Sequence, residues 1–369
     1  MIYLMATNTD YVNGRLTGAH FRFLELAKGL AKENKVIIIS KRIPQLENEE
    51  NIVFYYIKGN CPRFFPDHIA TMLLIAKMSR KIKKHEEYDA SISFTPFISI
   101  AYRLGGIKKI ASLFREDLIG YHNIIGTNKF KIFYYRLIEL LAVKCSDQII
   151  VQCQDDKKNL TERLNKFEKR VDLKVKIQIN NANASWMKSK LRDYVENDVP
   201  NILFIGEYSN LRKGHHILLS AASRLQDEGY NFLLFMAGDG CELPKYIKKY
   251  EHYSQIRFLG RIKVSDYLEK ADFVVVPSLI DSCPNTVLEA LNAGVAVYGS
   301  SRGGIVELLE ESQYMFEPTE ESLYQFLKNV LDSRRYVDDC VEQQKRKEEL
   351  CFDWAKKIEV QINGQMEIR

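Results

Sequence analysis

The sequence predicts an α/β protein with two Rossmann-like, doubly wound parallel-sheet domains. The chain has 369 residues, more than one hydrophobic core usually organises. Its second half alternates short apolar strands with helical stretches, the pattern of a parallel sheet covered on both faces. Its first half opens with a strand, a polar loop, a helix and another strand. We therefore predict a first domain over 1–183 and a second over 198–349.

The elements of the first half follow from apolar runs and their spacing. The opening β-α-β unit lacks G-x-G-x-x-G, since its first loop holds only Gly14 and Gly18, which argues against a dinucleotide-binding fingerprint. Strands are predicted at Ile2–Ala6, Val36–Ser40, Ile52–Ile57, Ala90–Phe94, Ile110–Phe114, Gln148–Gln152 and Lys174–Ile179.

Two helices of the first half have unusual compositions. Ile69–Lys84 is apolar first and strongly basic last, which fits either a membrane-surface helix or a core helix whose end favours cations. Phe130–Cys145 is rich in aromatic residues, and we assign it to the core. The polar segment Asn181–Pro200 is interpreted as the linker between the domains.

The second half repeats strand and helix regularly, and in such sheets ligands bind at the carboxyl ends of the strands. Strands are predicted at Ile202–Ile205, Phe232–Ala237, Ile256–Leu259, Phe273–Val276 and Val295–Tyr298, and helices near 214–226, 243–251, 264–271, 285–293 and 304–310. The last segment, Lys345–Arg369, has a helical pattern.

Composition and charge narrow the class of protein. The chain is 46% hydrophobic and 27% charged, as in globular proteins, and its seven cysteines are scattered without C-x-x-C. We expect reduced thiols, no zinc site, no signal peptide and a cytoplasmic location. Residues 1–198 carry 33 Lys and Arg against 22 Asp and Glu, so this half is basic. A membrane surface, a lipid pyrophosphate or nucleic acid would each fit, but no recognisable nucleic-acid module is present.

The stretch Val274–Glu307 carries the most specific signal. A buried strand leads into a loop with Asp281, and a helix starting near Asn285 holds Glu289 one turn in. Backbone N–H groups at a helix start bind anions, and a carboxylate deeper in the helix can accept hydrogen bonds from vicinal hydroxyls. A polyhydroxyl group joined to a phosphate is a nucleotide sugar. The backbone N–H groups at the start of this helix are those of Ser282, Cys283, Asn285 and Thr286.

This stretch resembles the signature of GT4-type retaining glycosyltransferases, which have the GT-B fold of two such domains with a cleft between them. The alternative is that Glu289 only caps a helix and Asp281 is an ordinary loop acid. The resemblance also implies that 350–369 returns to pack on the first domain. The matching residues are Pro277, Ser278, Asp281, Pro284, Asn285, Leu288, Glu289, Ala290, Ala293 and Gly294.

The resemblance implies roles for residues at the donor site. Lys213, in Leu211–His215, corresponds to the lysine that contacts the diphosphate, and Glu289 to the residue that binds the ribose. Asp281 contacts hydroxyls of the transferred sugar. The family usually has an Arg directly after the glycine at 206; here Glu207 reverses that charge, and Arg212 is the candidate to compensate.

Further positions are implied around the donor and acceptor. Arg261 and Ile262 correspond to the element that holds the nucleobase, and the turn Gly303–Glu307 closes the pocket. Gly18 corresponds to a glycine facing the donor phosphates, with Arg15 and Thr17 toward the acceptor; the alternative is an ordinary loop that needs a positive φ at Gly18.

The loop Phe114–Asp117 follows a strand and, by the resemblance, points toward the acceptor hydroxyl. Arg115 and Asp117 are therefore candidates for acceptor or donor-sugar contacts, and a surface salt-bridge cluster is the alternative. His122 is a weaker candidate, because a lone histidine is usually structural.

The sequence thus predicts a retaining glycosyltransferase that needs no metal or other cofactor. It would move a hexose or N-acetylhexosamine from a UDP- or GDP-sugar to a saccharide or lipid-pyrophosphate-linked acceptor, at the inner face of the cell membrane, in the assembly of bacterial surface polysaccharide. The alternatives are a nucleotide-sugar 2-epimerase of the same fold and a transferase-like subunit without turnover.

Overall fold

The structure, a computed structural model, describes residues 1–7, 9, 11–12, 16–57, 67–168, 171–187 and 197–366. The chain forms two compact units. The first comprises Met1–Ile119, Asn128–Ile179 and Asp353–Arg369; the second comprises Gly120–Thr127 and Asn180–Phe352. The chain therefore passes into the second unit at Asn180 and back into the first at Asp353.

The described part of the first unit is built on a seven-stranded parallel sheet in the order β3-β2-β1-β4-β5-β6-β7. The strands are β1 Ile2–Ala6, β2 Lys35–Ser40, β3 Ile52–Tyr56, β4 Ala90–Ser93, β5 Ile110–Leu113, β6 Gln148–Val151 and β7 Val175–Ile177. The helices are α1 Gly18–Ala31, α2 Asp67–His85, α3 Pro96–Leu104, α4 Leu118–Ile124, α5 Lys129–Cys145, α6 Gln154–Leu164 and α7 Val171–Lys174. Helix α4 crosses the boundary between the units.

The described part of the second unit is built on a six-stranded parallel sheet in the order β10-β9-β8-β11-β12-β13. The strands are β8 Asn201–Ile205, β9 Leu233–Ala237, β10 Ile256–Gly260, β11 Phe273–Val276, β12 Ala296–Ser300 and β13 Met315–Phe316. The helices are α8 His215–Asp227, α9 Leu243–Tyr250, α10 Val264–Leu268, α11 Asn285–Ala293, α12 Ile305–Leu309, α13 Glu320–Ser333 and α14 Tyr336–Glu349. The predicted fold class, with two Rossmann-like parallel-sheet domains, is confirmed.

The central strands of both sheets consist mainly of apolar residues because helices cover both faces. In the second unit β11 reads Phe-Val-Val-Val and is buried along its whole length between β8 and β12. In both sheets the strand order reverses at one point, between β1 and β4 in the first unit and between β8 and β11 in the second. Loops at the carboxyl ends of these strands form the crevice where such folds bind ligands.

The C-terminal helix α15, Trp354–Met366, belongs to the first unit and packs against α1. Gly29 of α1 and Ala355 of α15 make the closest approach, because a Cβ at Gly29 would lie 2.2 Å from the Cβ of Ala355. The helical pattern predicted over Lys345–Arg369 is divided between two helices, because α14 ends at Glu349 and α15 begins at Trp354. The Asp353 side chain accepts a hydrogen bond from the Lys356 backbone N–H at 2.9 Å and starts α15 anew.

Two other expectations need correction. The core assignment of the aromatic-rich helix holds for Ile138 and Ala142, but Phe130 and Phe133 on its other side are exposed. The described parts of the predicted linker, 181–187 and 197–200, both belong to the second unit. There the Ala182 N–H donates to the Leu350 carbonyl at 2.9 Å. Residues 188–196 lie outside the described part of the chain.

None of the helices within the described ranges combines the length and the apolar character that crossing a membrane requires.

Candidate active site

The candidate site of the second unit lies where its strand order reverses, on the loops after β8 and β11. The two loops are joined directly, since the Leu279 N–H donates to the Arg212 carbonyl at 2.8 Å. Gly214, with φ +67°, fits against the second loop, and a Cβ there would lie 1.8 Å from the Pro277 carbonyl oxygen. Only glycine allows this approach, so the Lys213–Gly214 pair and the Pro277–Ser278 pair pack together and form one surface.

This surface brings three of the predicted side chains together. Lys213 Nζ lies 2.5 Å from Asp281 Oδ2, and Arg212 Nη1 lies 3.9 Å from the same oxygen. Burial raises the pKa of the Asp281 carboxyl. The charges of Lys213 and then Arg212, a hydrogen bond from Lys213 and one from the Cys283 N–H outweigh burial and hold this pKa below its ordinary value. Asp281 is therefore an anion at neutral pH, beside two cations.

The turn after β12 supports Asp281 from behind. The Gly304 N–H donates to the Asp281 carbonyl at 2.9 Å. Gly303 has φ +57°, and a Cβ there would lie 2.3 Å from that same oxygen. The Gly-Gly turn thus fixes the backbone that carries the carboxylate.

The first turn of α11 lies directly after this loop. Asn285 and Thr286 are half-buried at the helix start, while Ser282 and Cys283 before it are buried. The Sγ of Cys283 accepts the Asn180 N–H at 3.5 Å. Glu289 is half-buried one turn further along the helix, as predicted from the spacing. The structure therefore places all these predicted residues on one helix and the loop that leads into it.

Arg261 and Ile262 lie on the other side of β8, after β10. Arg261 Nε is 2.6 Å from Asp239 Oδ2, in the loop after the neighbouring strand β9, and 57% of its side chain is exposed. Ile262 is half-buried. The two loops meet at Gly238, whose N–H donates to the Gly260 carbonyl at 2.7 Å.

Glu207, which departs from the family pattern, and Arg212, the candidate to compensate for it, have different surroundings. Glu207 is exposed and makes no ion pair with any described residue. The Arg212 guanidinium lies 5.6 Å from the centre of the Tyr121 ring, and Asn210 donates to the Tyr121 hydroxyl at 3.4 Å. Tyr121 orients Arg212, a contact that sequence spacing could not reveal because 91 positions separate them.

The two residues predicted in the loop after β5 of the first unit, Arg115 and Asp117, have different surroundings. Arg115 Nη1 donates to the Ala19 carbonyl at 3.0 Å and lines a cavity of about 590 Å³. Asp117 does not line this cavity. It is buried and bound to Arg163 at 2.8 Å and to Asn159 at 3.0 Å, so its carboxylate anchors α6.

The cavity lies where the strand order of the first sheet reverses, between the loops after β1, β4 and β5. Burial, and then the charge of Arg115, lower the pKa of His20, which is neutral at pH 7. His68 accepts from or donates to the Tyr134 hydroxyl at 2.8 Å. No sequence motif pointed to several of the cavity's lining residues, among them the polar His20, Asp67, His68 and Glu139 and the aromatic Tyr11, Phe23, Phe94 and Phe97.

The remaining predicted positions of the first unit are local. Gly18 is the first residue of α1 and does not have a positive φ, so the alternative that required one is wrong. Thr17 caps this helix, and its N–H donates to His20 Nδ1 at 2.8 Å. Gly14 and Arg15 lie outside the described residues. His122 bonds to Thr127 Oγ1 at 3.0 Å, within the stretch 120–127 of the second unit.

The described residues contain no group of three or more His, Cys, Asp or Glu side chains arranged to hold a metal ion.

Two parallel-sheet domains of this kind, with the site on the second, define the GT-B fold. Residues 199–333 match the family described as glycosyl transferases group 1, so the match covers most of the second unit. Protein CapJ of Staphylococcus aureus is 27% identical over 141 residues, which are 36% of this chain and 36% of CapJ. The chain spans about a third of the length of the first curated relatives it matches.

Solved structures show the same fold over the whole chain. Sucrose-phosphate synthase from Thermosynechococcus elongatus has a TM-score of 0.80 at 13% identity, with 100% of both chains covered. Anabaena HepE in complex with UDP-glucose has a TM-score of 0.72 at 14% identity, also with 100% of both chains covered. The family match thus concerns 199–333, and these neighbours show the GT-B fold for the whole chain.

Proposed function

We propose that the chain is a retaining glycosyltransferase of the GT4 type that uses a nucleotide sugar and no metal or other cofactor. The observation that carries the proposal is the cluster of Lys213, Arg212 and Asp281 at the start of α11, at the point where the second sheet reverses its strand order. Two cations and the first turn of a helix make a diphosphate site. The carboxylate beside them suits the hydroxyls of the sugar.

Each side chain then has a definite task. Lys213 and Arg212 stabilise the negative charge that develops on the leaving diphosphate, which is the part of this reaction that needs electrostatic help. Glu289 accepts hydrogen bonds from the ribose hydroxyls, and Asp281 from the transferred sugar. Lys213 has three N–H donors, so it can keep Asp281 in place while it also donates to a phosphate oxygen.

In this proposal the reaction breaks the bond between the anomeric carbon and the phosphate oxygen, and the acceptor oxygen bonds to that carbon on the same face. The acceptor proton passes to the departing phosphate oxygen, so no protein base is required. UDP- or GDP-sugars are the expected donors; HepE, with the same fold, was solved with UDP-glucose. The cavity of the first unit is our candidate for acceptor binding, because it combines aromatic faces with Arg115.

Thermal shift with UDP, GDP, dTDP and ADP tests the donor site. A nucleotide at a hundredfold excess over its dissociation constant stabilises by about 2.7 kcal/mol. We expect one nucleotide to stabilise the wild type, and Glu289→Ala and Lys213→Ala to lose most of that shift. The exposed controls Glu348→Ala and Lys345→Ala should respond like the wild type.

Release of sugar from the matching nucleotide sugar tests turnover. Lys213→Ala should slow it by about a hundredfold or more, as for other charge-stabilising groups. Absence of any nucleotide shift would overturn the donor site. A shift without sugar release or transfer would favour the transferase-like subunit without turnover.

A further inference from the structure

The outer side of helix α5 presents large apolar residues to solvent. The exposed fractions are 82% for Phe130, 67% for Phe133, 44% for Leu137 and 39% for Leu141. Their spacing of three or four residues places them in one stripe along the helix. Isolated exposed apolar residues are normal, but a continuous aromatic and aliphatic stripe is typical of a binding surface.

All exposed charges on α5 are positive. Lys129, Lys131, Arg136 and Lys144 are exposed, and none of them forms an ion pair with a described residue. The one acid of the helix, Glu139, is buried against Arg163 on the opposite side, at 2.8 Å. Burial raises the pKa of Glu139, and since its side chain is buried it adds no negative charge to the exposed surface of the helix.

Helix α2, in contrast, has charge without an apolar stripe. Its exposed residues include Lys77, Arg80, Lys81 and Lys84, but only Leu73 among large apolar side chains. Helix α2 packs on α3, and α3 packs on α5, so the three form one helical layer of the first unit. Within that layer, α5 carries the exposed apolar stripe and α2 carries additional exposed positive charge.

We propose that α5 is a membrane-surface helix that docks this chain on an anionic lipid bilayer. Phe130, Phe133, Leu137 and Leu141 enter the boundary between headgroups and acyl chains, and the four flanking cations contact lipid phosphates. This is the composition of a helix that lies in the interface plane: an apolar stripe, cations and no exposed acid. Lysine and arginine stems can cover apolar surface while their charges stay at the headgroups.

The other side of α5 faces the cavity of the first unit. Glu139 lines that cavity, and Tyr134 bonds to the lining residue His68. If the cavity binds the acceptor, which rests on the proposed function, a docked α5 brings the cavity wall to the lipid surface. The acceptor would then be attached to a lipid and not a free saccharide.

Co-sedimentation with lipid vesicles tests the docking. The full-length protein should bind vesicles of phosphatidylcholine with added phosphatidylglycerol, and bind vesicles of phosphatidylcholine alone much more weakly. Phe133→Ser/Leu137→Ser should weaken binding by about tenfold or more, because two apolar side chains no longer leave water. The matched control is Phe167→Ser/Leu173→Ser, two exposed residues of the same unit that are not part of α5.

A charge-reversal pair tests the electrostatic part. Lys129→Glu/Arg136→Glu should weaken binding to the anionic vesicles by at least about tenfold, since each basic residue near such a surface contributes about 1 kcal/mol. Lys158→Glu/Lys166→Glu changes the net charge equally at exposed positions outside α5 and should have a much smaller effect. Added salt should weaken wild-type binding.

Equal effects of the α5 variants and their controls, or no vesicle binding, would overturn the docking. Self-association through the stripe without vesicle binding would do the same and would identify a second copy as the occupant. Release of sugar from the nucleotide sugar, measured without vesicles, should be equal in wild type and all four variants. Turnover without vesicle binding disproves docking alone, whereas vesicle binding without nucleotide binding disproves the proposed function alone.

Discussion

Glu207 occupies the position where the resembling family has an Arg, and the structure leaves its carboxylate exposed near the Lys213 loop. We predict that Glu207→Arg tightens binding of the preferred nucleoside diphosphate by about tenfold, because a hydrogen bond to a charged group contributes roughly 1.5–3 kcal/mol. Isothermal titration calorimetry with wild type and variant measures this. Glu251→Arg, at another exposed position of the second unit, makes the same charge change.

An equal gain in Glu207→Arg and Glu251→Arg would mean that only net charge matters. A loss of affinity in Glu207→Arg alone would mean that Glu207 has its own role in the site and that Arg212 already serves the diphosphate. Because long-range effects of exposed charge are screened, the comparison belongs at about 0.15 M salt, where the Debye length is about 8 Å.

His215 makes stability depend on pH. It is fully buried among aromatic rings, 4.7 Å from the Tyr208 ring and 4.6 Å from the Tyr246 ring, and neither ring nitrogen has a described hydrogen-bond partner. Burial, assisted by the charge of His216, lowers the pKa of His215 to about 4. The native protein therefore holds this imidazole neutral under conditions in which the unfolded chain protonates it.

The stability change follows from that lowered pKa. Above pH 6.5 the ring is neutral in both states; between pH 6.5 and 4 only the unfolded chain binds the proton, so stability falls as pH falls, by about 3 kcal/mol at most. Melting temperatures measured over this range should fall less steeply in His215→Leu than in wild type. His252→Leu, an exposed histidine, is the control. Equal slopes in all three proteins would disprove the assignment.

At this scale, sequence predicted the residues whose signal is local. Lys213, Asp281 and Glu289 belong to short motifs; the structure brings Lys213 to Asp281 and places Glu289 on the predicted helix. Asp117 was predicted from its loop alone, and its salt bridge to Arg163 depends on a helix 46 positions further along. No spacing rule reports such a contact, because packing between elements decides it.

At the scale of elements, Gly214 decides how the loops after β8 and β11 fit together. Gly214→Ala adds a Cβ that would lie 1.8 Å from the Pro277 carbonyl oxygen, at φ +67°. We expect a loss of about 2 kcal/mol or more in the free energy of unfolding, from the clash and the left-handed backbone together. The nucleotide-induced thermal shift should fall as well, since Gly214 positions Lys213.

Gly229→Ala is the matched control. Gly229 also has a positive φ, +89°, but a Cβ there would meet nothing within 4 Å. This variant carries the backbone penalty of about 1–2 kcal/mol without the clash, and its response to nucleotide should be that of the wild type. If the two variants lose equal stability and keep equal nucleotide shifts, the close approach of the two loops has no role in the site.

Strands and helices with a clear apolar period were predicted well, and the failures have physical causes. β13 has only two residues, too few for any period to appear. The helix Phe130–Cys145 was assigned to the core because aromatic residues are usually buried. Composition cannot reveal which side of a helix lacks a partner, and only the packing of α3 on the other side of α5 shows it.

At the scale of the whole molecule, one strand order, 3-2-1-4-5-6, occurs in both sheets, and both candidate sites lie at its reversal point. At the reversal point of the second sheet lie two cations and the start of a helix. At that of the first sheet lies a cavity with aromatic walls. In the proposed function this shared topology serves two different ligands, because the loops and not the sheets carry the chemistry. Length and alternation predicted the two sheets, but the cavity depends on contacts between distant loops.

The chain forms two compact units. We therefore expect calorimetry to resolve two unfolding transitions, and UDP or the preferred nucleotide to raise only the melting temperature of the second unit. Gly29→Val tests this division. Even the first atom of the new side chain, the Cβ, would lie 2.2 Å from the Cβ of Ala355. The variant should therefore push α15 from α1 and lower the free energy of unfolding of the first unit by about 1–3 kcal/mol.

Gly364→Val makes the same change on α15, where a Cβ would meet nothing within 4 Å, and should leave both transitions nearly unchanged. In Gly29→Val the nucleotide should still raise the second transition by the wild-type amount, because Lys213, Asp281 and Glu289, the proposed donor residues, belong to the second unit. Loss of that shift together with the first transition would show that the donor site depends on the first unit. The assignment of donor and acceptor binding to separately folding units would then be wrong, because the donor site would be lost when the first unit unfolds.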